Sequence, residues 1–244
     1  MIKIFNPDKL TRQDFFKDLV NFLYQTDDVT LRQIKAQFQD VSKIDRLIEE
    51  YVQSGYIIRD NKRYTIGFDL LESLENIDLD SQIFVDDESP VYTNLMAITF
   101  ETRLENETND LVLVEKTSIA RDELTLANYF FKLAENLPMS KAQEVLFDLL
   151  GDVNPQYALK YMTTFLLKFA RKDEVAQKRP DIFVEALEKL NYICKNDQGK
   201  YQLNMIFDKE TQFLQVNKLK NTGYPRFYVA VFIHEIKEIR GSDN

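Results

Sequence analysis

The chain repeats one pattern in two stretches: Asp45-Arg-Leu-Ile-Glu49, which leads to Gly55-Tyr56-Ile57, and Asp181-Ile-Phe-Val-Glu185, which leads to Asn191-Tyr192-Ile193. Asp, Glu, Tyr and Ile keep the same register in both, with eleven positions from the Asp to the Tyr. The apolar residues between them have the i, i+1, i+4 spacing of an amphipathic helix. Gly and Asn, which most easily adopt a left-handed conformation, then stand at the same place after the helix. The pattern predicts the same helix and the same helix end twice.

A β-hairpin is predicted directly after each of these helices. Residues 58–66 fit a strand, a turn and a second strand, and residues 194–203 fit the same order with one extra turn residue. A helix followed at once by a hairpin is typical of the last helix and wing of a winged-helix domain. Upstream, Thr30-x-x-Gln33 and Ser140-x-x-Gln143 predict a capping box that opens a helix in each copy.

The fold class predicted from these repeats is α+β, a tandem duplication of a winged-helix-like module with flanking strands that form a shared sheet. Short β-like runs at residues 2–5 and 111–114 precede the helices of each copy. Residues 90–100 and 225–233 are strand candidates that follow a proline and close each copy. We expect residues 91–104 and 111–117 to pair as an antiparallel hairpin that joins the two copies.

The domain organisation follows from this alignment. Residues 1–67 form copy one, residues 68–118 an acidic segment with the linking hairpin, and residues 119–244 copy two. Copy two carries an insertion at 155–178, a helix that is apolar all round and is therefore expected in the core or against a partner. At its C-terminus, residues 227–236 are apolar on both faces, which predicts a central strand.

Composition and charge describe an ordinary globular chain of net charge −9. Residues 68–110 hold 12 acidic side chains and one basic one, whereas the flanking regions are almost neutral. The single Cys194 excludes an intramolecular disulfide and fits a reducing compartment. No signal peptide and no apolar stretch of membrane-spanning length is recognisable. We expect a cytoplasmic protein that does not contact a membrane.

Three further stretches carry a resemblance: Met-Ile-Lys-Ile-Phe-Asn-Pro at the start, Arg12-Gln-Asp-Phe-Phe-Lys-Asp-Leu-Val20, and Gly55-Tyr56-Ile57. They resemble an uncharacterised streptococcal family of unknown function, whose small domain occurs in one or two copies per chain. The resemblance is strongest over residues 1–66. It implies a bacterial cytoplasmic protein and no established activity, so it assigns no functional residues.

Catalytic, cofactor and metal chemistry find little support in the sequence. The only histidine, His234, lies in the predicted strand 227–236 without a nucleophile or orienting partner beside it. Cys194 is predicted to be a small buried hydrophobe, and Asp86-Asp87-Glu88 a solvated acidic loop. No phosphate-binding glycine loop occurs. We therefore predict no enzyme activity, no cofactor and no metal site.

Binding is the favoured class of function. If residues 42–53 form a recognition helix with a wing behind it, the helix enters the major groove and the wing contacts the backbone. Glu49 and Glu50 weaken this hypothesis, because they would face phosphate, and copy two is poorer still in basic residues. The residues predicted to contact DNA through copy one are Lys43, Arg46, Arg59, Lys62 and Arg63.

Two hypotheses stay open. The first is a winged-helix DNA-binding or regulatory protein that acts through copy one. The alternative is a protein-interaction or dimerisation scaffold without nucleic-acid binding, with a protein partner or a second copy bound through copy two. The near-neutral modules, the acidic segment and the apolar inserted helix motivate the second hypothesis.

Overall fold

The computed structural model describes residues 1–208, 213–215 and 227–228. The chain divides into two compact units, Met1–Met96 and Ala97–Asn244, which we call unit 1 and unit 2. Both combine helices with small β-sheets, so the predicted mixed α+β class is confirmed. The module boundaries predicted at residues 67 and 118 stay predictions.

Unit 1 alternates short strands with amphipathic helices. In α1 the apolar side chains of Phe16, Leu19, Val20 and Leu23 are buried, with the i, i+3, i+4, i+7 spacing of one helix face. In chain order the elements are β1 (Ile2–Phe5), α1 (Asp14–Gln25), β2 (Val29–Thr30), α2 (Leu31–Gln37), α3 (Ile44–Gln53), β3 (Ile57–Asp60), β4 (Arg63–Ile66), β5 (Ile83–Asp86) and α4 (Pro90–Ala97).

Local signals set the helix ends and the hairpin of unit 1. The capping box predicted at Thr30 and Gln33 is present, with the Gln33 backbone N–H donating to the Thr30 hydroxyl. Gly55 after α3 has a φ of 80°, as the sequence predicted. The turn between β3 and β4 consists of Asn61 and Lys62, both at positive φ, which is the conformation of the tightest two-residue hairpin.

Unit 1 contains two sheets. β2, β4 and β3 form an antiparallel sheet in that order, in which Val29 lies opposite Tyr64. β1 pairs with β5 in a separate two-stranded sheet. The core beneath them packs β1, α1 and α3 together, and its largest buried side chains include Phe16 and Tyr51.

Unit 2 begins with a hairpin and continues with helices before its own small sheet. Its elements are β6 (Phe100–Leu104), β7 (Val112–Thr117), α5 (Leu126–Ala134), α6 (Glu144–Leu150), α7 (Pro155–Leu166), a 3-10 helix (Leu167–Ala170), β8 (Glu174–Val175), α8 (Ile182–Lys189), β9 (Ile193–Lys195), β10 (Tyr201–Leu203), β11 (Ile206–Asp208), β12 (Phe213–Gln215) and β13 (Phe227–Tyr228).

The sheets of unit 2 are of two kinds. β8, β10 and β9 form an antiparallel sheet in that order, in which Val175 lies opposite Tyr201. A second sheet has the strand order β11-β12-β7-β6-β13 within the described residues. Helices α5 to α8 and both sheets contribute to one core.

Three of the four flanking strand regions predicted to share a sheet do lie in one sheet, as β6, β7 and β13, but the first region does not. The strand at the start of the chain, β1, pairs with β5 inside unit 1, whereas β6 and β7 belong to the sheet of unit 2. The reason is that Ile83, Phe84 and Val85 of β5 are all buried and offer β1 an apolar partner strand. The many acidic residues around β5 concealed this strand in the sequence.

The linking hairpin is confirmed in its second half only. β6 and β7 pair antiparallel as expected, but residues 90–97, predicted as strand, form α4. Pro90 opens this helix, where its missing N–H costs nothing, and the Ser89 hydroxyl accepts the Tyr92 N–H at 3.2 Å. Of the predicted strand 227–236, residues 227–228 pair with β6, and residues 229–236 lie outside the described residues.

The second predicted capping box is also corrected. The helix α6 begins at Glu144, four residues after Ser140, so Ser140 does not cap it. Gln143 is fully buried: its Oε1 accepts the Ser140 N–H at 2.9 Å, as in a capping box, and its Nε2 donates to the carbonyl oxygens of Arg121 and Glu123. A buried amide needs such acceptors, and only the tertiary fold supplies them.

Candidate interaction surfaces

The five residues predicted to bind DNA lie around α3 and the hairpin of β3 and β4. Lys43 precedes α3 with a φ of 56°, and Arg46 lies in its first turn. Arg59 stands on β3, Lys62 in the turn, and Arg63 at the start of β4. The Arg59 side chain reaches α3, so the structure places the helix and the hairpin side by side.

Three of these five cations form ion pairs with carboxylates of unit 1 itself. Lys43 and Lys62 form no ion pair with any described residue, but the three arginines do. Exposed pairs of this kind add little stability, yet each one reduces the local positive potential. The pairs are Arg46 Nε with Glu50 Oε1 at 3.0 Å, Arg59 Nη1 with Glu49 Oε2 at 2.7 Å, and Arg63 Nε with Asp28 Oδ1 at 2.8 Å.

The helix α3 is acidic on its exposed side. It carries Asp45, Glu49 and Glu50 against the single Arg46, and Lys35 of α2 pairs with Asp45 at 2.7 Å. The hydrogen bond that Arg59 donates to Glu49 raises the pKa of Arg59. A phosphate backbone approaching α3 would meet these carboxylates, and DNA-binding surfaces instead present cations there.

The corresponding helix and hairpin of unit 2 show the same kind of internal pairing. Lys195 on β9 pairs with Glu188 of α8 at 2.8 Å, and the Tyr201 hydroxyl donates to the same carboxylate at 3.2 Å. Asp181 caps α8 by accepting the N–H groups of Phe183 and Val184. This face, too, is built from contacts within the unit.

Each unit joins the tyrosine that follows its repeated helix, α3 in unit 1 and α8 in unit 2, to a carboxylate. In unit 1 the Tyr56 hydroxyl lies 2.6 Å from Asp8, whose other oxygen accepts the N–H groups of Leu10 and Thr11 at 2.8 Å. Partial burial opposes ionisation of Asp8, but the bonds from Tyr56 and Thr11 outweigh it and lower its pKa. Burial, together with Asp8, raises the pKa of Tyr56 to about 12.

In unit 2 the equivalent contact is buried. The Tyr192 hydroxyl donates to Glu115 of β7, and both residues are fully inaccessible. Glu115 also accepts the N–H groups of Leu126 and Ala127, at 3.0 Å and 2.7 Å, at the start of α5. Burial raises the pKa of Glu115 despite these three donors, and burial with the neighbouring carboxylate raises that of Tyr192.

The helix α7 presents an aromatic cluster at the surface of unit 2. Tyr157 is 52% exposed and Tyr161 40%, and the two ring centroids lie 4.8 Å apart. The Tyr161 ring stacks on Phe183 of α8 at 5.3 Å with an interplanar angle of 8°. Because this face of the helix is solvent-exposed, the core of unit 2 covers only part of the apolar surface that the sequence predicted for this helix. Its other face is buried, as in Leu159 and Met162.

This side of α7, the 3-10 helix behind it and the two residues that follow carry several cations. Residues 153–172 contain four basic and no acidic side chains. Lys160 lies 5.8 Å from the Tyr161 ring centroid, and Lys168 4.6 Å from that of Phe165. These two lysines, and Arg171 and Lys172 behind them, are exposed and form no ion pair with any described residue. We call Tyr157, Lys160, Tyr161, Lys168, Arg171 and Lys172 the α7 face.

An acidic strap, residues 67–82, connects β4 to β5 in unit 1. Ile77 and Leu79 are buried and anchor it, and the Asn6 amide donates to the Leu79 carbonyl at 2.6 Å. The strap carries five acidic and no basic side chains. Four of them are exposed and form no ion pair with any described residue: Asp69, Glu72, Glu75 and Asp78.

The residues considered for catalysis or metal binding have other surroundings. The Met1 ammonium donates to Asp86 and Asp87 at 2.9 Å and 2.5 Å, and these bonds lower the pKa of both carboxyls. Within the part of the chain that the structure describes, no three His, Cys, Asp or Glu side chains gather as metal ligands would. Cys194 is exposed, which corrects the expected burial, because it alternates with buried Ile193 along β9. His234 lies outside the described residues.

Comparison with known proteins adds one match. A family model described as a domain of unknown function (DUF1803) matches residues 2–98. This confirms the resemblance to a domain of unknown function, whereas the streptococcal range and the copy number stay predictions. No curated protein and no solved structure matches the chain. Among the described residues, none of the helices has the length and apolar character to cross a bilayer.

Sequence reasoning missed the α7 face and the buried Glu115. The spacing of Tyr157, Lys160, Tyr161 and Lys168 follows one side of a helix, and the absence of acids around them was visible. Glu115 had no such signal, because its partner Tyr192 is 77 residues away.

Proposed function

We propose that the protein is a non-enzymatic protein-interaction protein built from two winged-helix-like modules that arose by tandem duplication. The duplication is supported by the two three-stranded sheets. In both, the last strand lies in the middle and the first strand of the three pairs with it through a Val opposite a Tyr: Val29 with Tyr64, and Val175 with Tyr201.

Two further details support the duplication. Gly55 and Asn191 have φ values of 80° and 60° at the same place, two residues after α3 and α8. The following tyrosine, Tyr56 or Tyr192, bonds a carboxylate that also accepts backbone N–H groups. These are independent local features, and a chance match of helical patterns does not explain them.

The helices around the two sheets differ. In unit 1, α1 precedes the edge strand β2, and α2 and α3 follow it. In unit 2, α5, α6 and α7 precede the edge strand β8, which lies inside the predicted insertion 155–178, and α8 alone follows it. We infer that the copies kept the helix and hairpin and diverged in the helices that surround them.

One observation supports a protein partner over DNA: every carboxylate of α3 forms an ion pair with a basic side chain of unit 1. Asp45, Glu49 and Glu50 hold Lys35, Arg59 and Arg46. A winged helix that reads DNA contacts phosphate groups with such basic side chains. Here the basic side chains would first have to break their ion pairs with the carboxylates of α3. The exposed tyrosines of α7 support a protein partner instead, since tyrosine is enriched at protein interfaces. The lone unpaired Cys194 fits a reducing cytoplasm, where we place the protein.

Fluorescence anisotropy with a randomised duplex, at low salt, tests the proposal. We expect no saturable binding by the wild-type chain and no change on reversing Arg46, Lys62 and Arg63 to Glu. As a matched control, Glu49→Gln with Glu50→Gln releases two arginines and should bind duplex weakly. Wild-type binding that falls steeply with salt and disappears in the triple reversal would refute the proposal and restore the DNA-binding hypothesis.

A further inference from the structure

We propose that the α7 face binds the acidic strap of a second copy of this chain. The inference rests on the proposed function, since it names the partner of a protein-interaction surface. Its first support is the composition of the α7 face, where exposed aromatic rings alternate with exposed lysines on one side of a helix. Aromatic side chains with cations around them form the energetic centre of many protein interfaces.

The second support is the unsatisfied charge of both surfaces. Lys160, Lys168, Arg171 and Lys172 have no carboxylate partner among the described residues. This contrasts with the arginines of the α3 surface, which carboxylates of their own unit neutralise. These four cations stand in residues 153–172, a stretch with no acidic side chain, so they favour a partner surface of negative potential.

The acidic strap supplies that surface. Asp69, Glu72, Glu75 and Asp78 are exposed without an ion-pair partner among the described residues, and the nearest basic residues along the chain are Arg63 and Arg103. The strap is held by its buried apolar residues and by Asn6, so its carboxylates need little ordering to bind. Each copy carries both surfaces, so the strap of one copy can pair with the α7 face of another.

A single-stranded nucleic acid fits the α7 face less well. Base stacking needs an open aromatic face, and one face of the Tyr161 ring is covered by Phe183 in a parallel stack. The Tyr157 ring is tilted against both of these rings, at 60° and 67°. The three rings therefore pack on one another and present a contoured edge, which suits a polypeptide surface.

Sedimentation velocity of the full chain tests the inference over a range of concentrations, at about 0.05 M and about 0.5 M NaCl, because salt screens exposed charges. We expect a complex heavier than the monomer at low salt that dissociates at high salt. Lys160→Glu with Lys168→Glu, and separately Asp69→Lys with Glu72→Lys, should each raise the dissociation constant roughly tenfold or more.

The decisive step is to mix the two variants. Each retains one native surface, so the mixture should form a complex that neither variant forms alone. Lys141→Glu with Lys189→Glu is the matched control: it reverses two exposed lysines of unit 2 outside the α7 face and should leave the wild-type association unchanged.

Three outcomes would overturn the inference: a wild-type chain that stays monomeric at low salt, association that survives both reversals, or a mixture that stays monomeric. Tight binding of a single-stranded oligonucleotide that is lost in the Lys160 and Lys168 variant would also overturn it. These results are separate from the duplex experiment, which decides the proposed function by itself.

Discussion

The tyrosine that follows the repeated helix, α3 or α8, bonds a carboxylate in both units, but water reaches only one of the two contacts. In unit 1, Tyr56 and Asp8 meet near the surface, and the pKa of Asp8 is lowered. In unit 2, Tyr192 and Glu115 are fully buried, and the pKa of Glu115 is raised. One hydrogen-bond pattern thus has opposite electrostatic consequences, because burial penalises the ionised carboxylate.

The comparison also shows what each contact does for its unit. Asp8 organises a turn ahead of α1, and water can replace its partners. Glu115 joins β7 to the start of α5 and to Tyr192 behind α8, which is 77 residues away, so three segments depend on one side chain.

Replacing the buried carboxylate should have the largest effect. Glu115→Ala leaves two backbone N–H groups and the Tyr192 hydroxyl buried without an acceptor, and we expect unit 2 to lose about 3–5 kcal/mol. Asp8→Ala should cost unit 1 at most about 1 kcal/mol, since its donors reach water. Denaturant unfolding, monitored by hydrogen exchange in α5 for unit 2 and in α3 for unit 1, measures both losses of stability. Equal losses in the two units would contradict the comparison.

Removing the tyrosine hydroxyls should reduce stability by less than removing the carboxylates does. Unit 2 should again lose more stability than unit 1. Tyr192→Phe takes a donor from a buried carboxylate and should destabilise unit 2 by about 2 kcal/mol. Tyr56→Phe should cost unit 1 less than about 1 kcal/mol, because water solvates Asp8. Thermal unfolding of the two variants and of the double variant gives the values, and a larger effect in unit 1 would reverse the assignment.

The helix ends should respond to backbone strain alone. Gly55→Ala places a side chain at φ 80°, where a Cβ meets no atom within 4 Å, so about 1 kcal/mol of conformational strain is expected. Asn191→Gly at the matching position should change stability by less than about 0.5 kcal/mol. If Gly55→Ala proves neutral in chemical denaturation, the left-handed conformation at this position is not required.

The contributions of Asp8 and Glu115 to stability should depend on pH with opposite signs. A lowered pKa means that Asp8 stabilises unit 1 above its unfolded pKa near 3.8, and that this stability is lost as the pH falls through the folded value. A raised pKa means that Glu115 stabilises unit 2 fully below its unfolded pKa near 4.5, and that this stability is lost as the pH rises through the folded value.

Two neutral variants isolate these terms from the other carboxylates. Asp8→Asn should flatten the acid limb of the stability profile of unit 1, and Glu115→Gln the rising-pH limb of unit 2. Unfolding at a series of pH values, with hydrogen exchange read in each unit, measures the differences. A Glu115→Gln profile parallel to that of the wild-type chain would show that Glu115 does not titrate as burial predicts.

The parts of the fold that the sequence predicted correctly are those governed by neighbours in the chain. The capping box at Thr30, the helix ends at Gly55 and Asn191, and the hairpin of β3 and β4 depend on residues a few positions apart. The pairing of β1 with β5 was missed because its partners are about 80 residues apart and lie in an acidic region. The alternation of apolar residues along a strand does not by itself determine the strand with which it pairs.

For the candidate DNA-binding surface, too, the sequence predicted the positions of the residues but not their distant partners. Arg46, Arg59 and Arg63 were found from their position on the helix and hairpin, and the structure places them there. Their ion pairs with Glu50, Glu49 and Asp28 were not predicted, and they turn a basic pattern into a nearly neutral surface. The α7 face was missed because the helix was judged by its apolar residues and not by the exposed ones.

By itself, the sequence determined the repeated helix, the residues that end it, the hairpin behind it and the α+β class. These follow from backbone conformation and from the spacing of apolar residues, which act over one or two turns. Only the tertiary structure decided that Glu115 is buried with Tyr192, that carboxylates occupy the arginines beside α3, and that α7 leaves its tyrosines and lysines exposed. Burial and charge pairing depend on which distant segments meet, and that is settled by the packing of the whole unit.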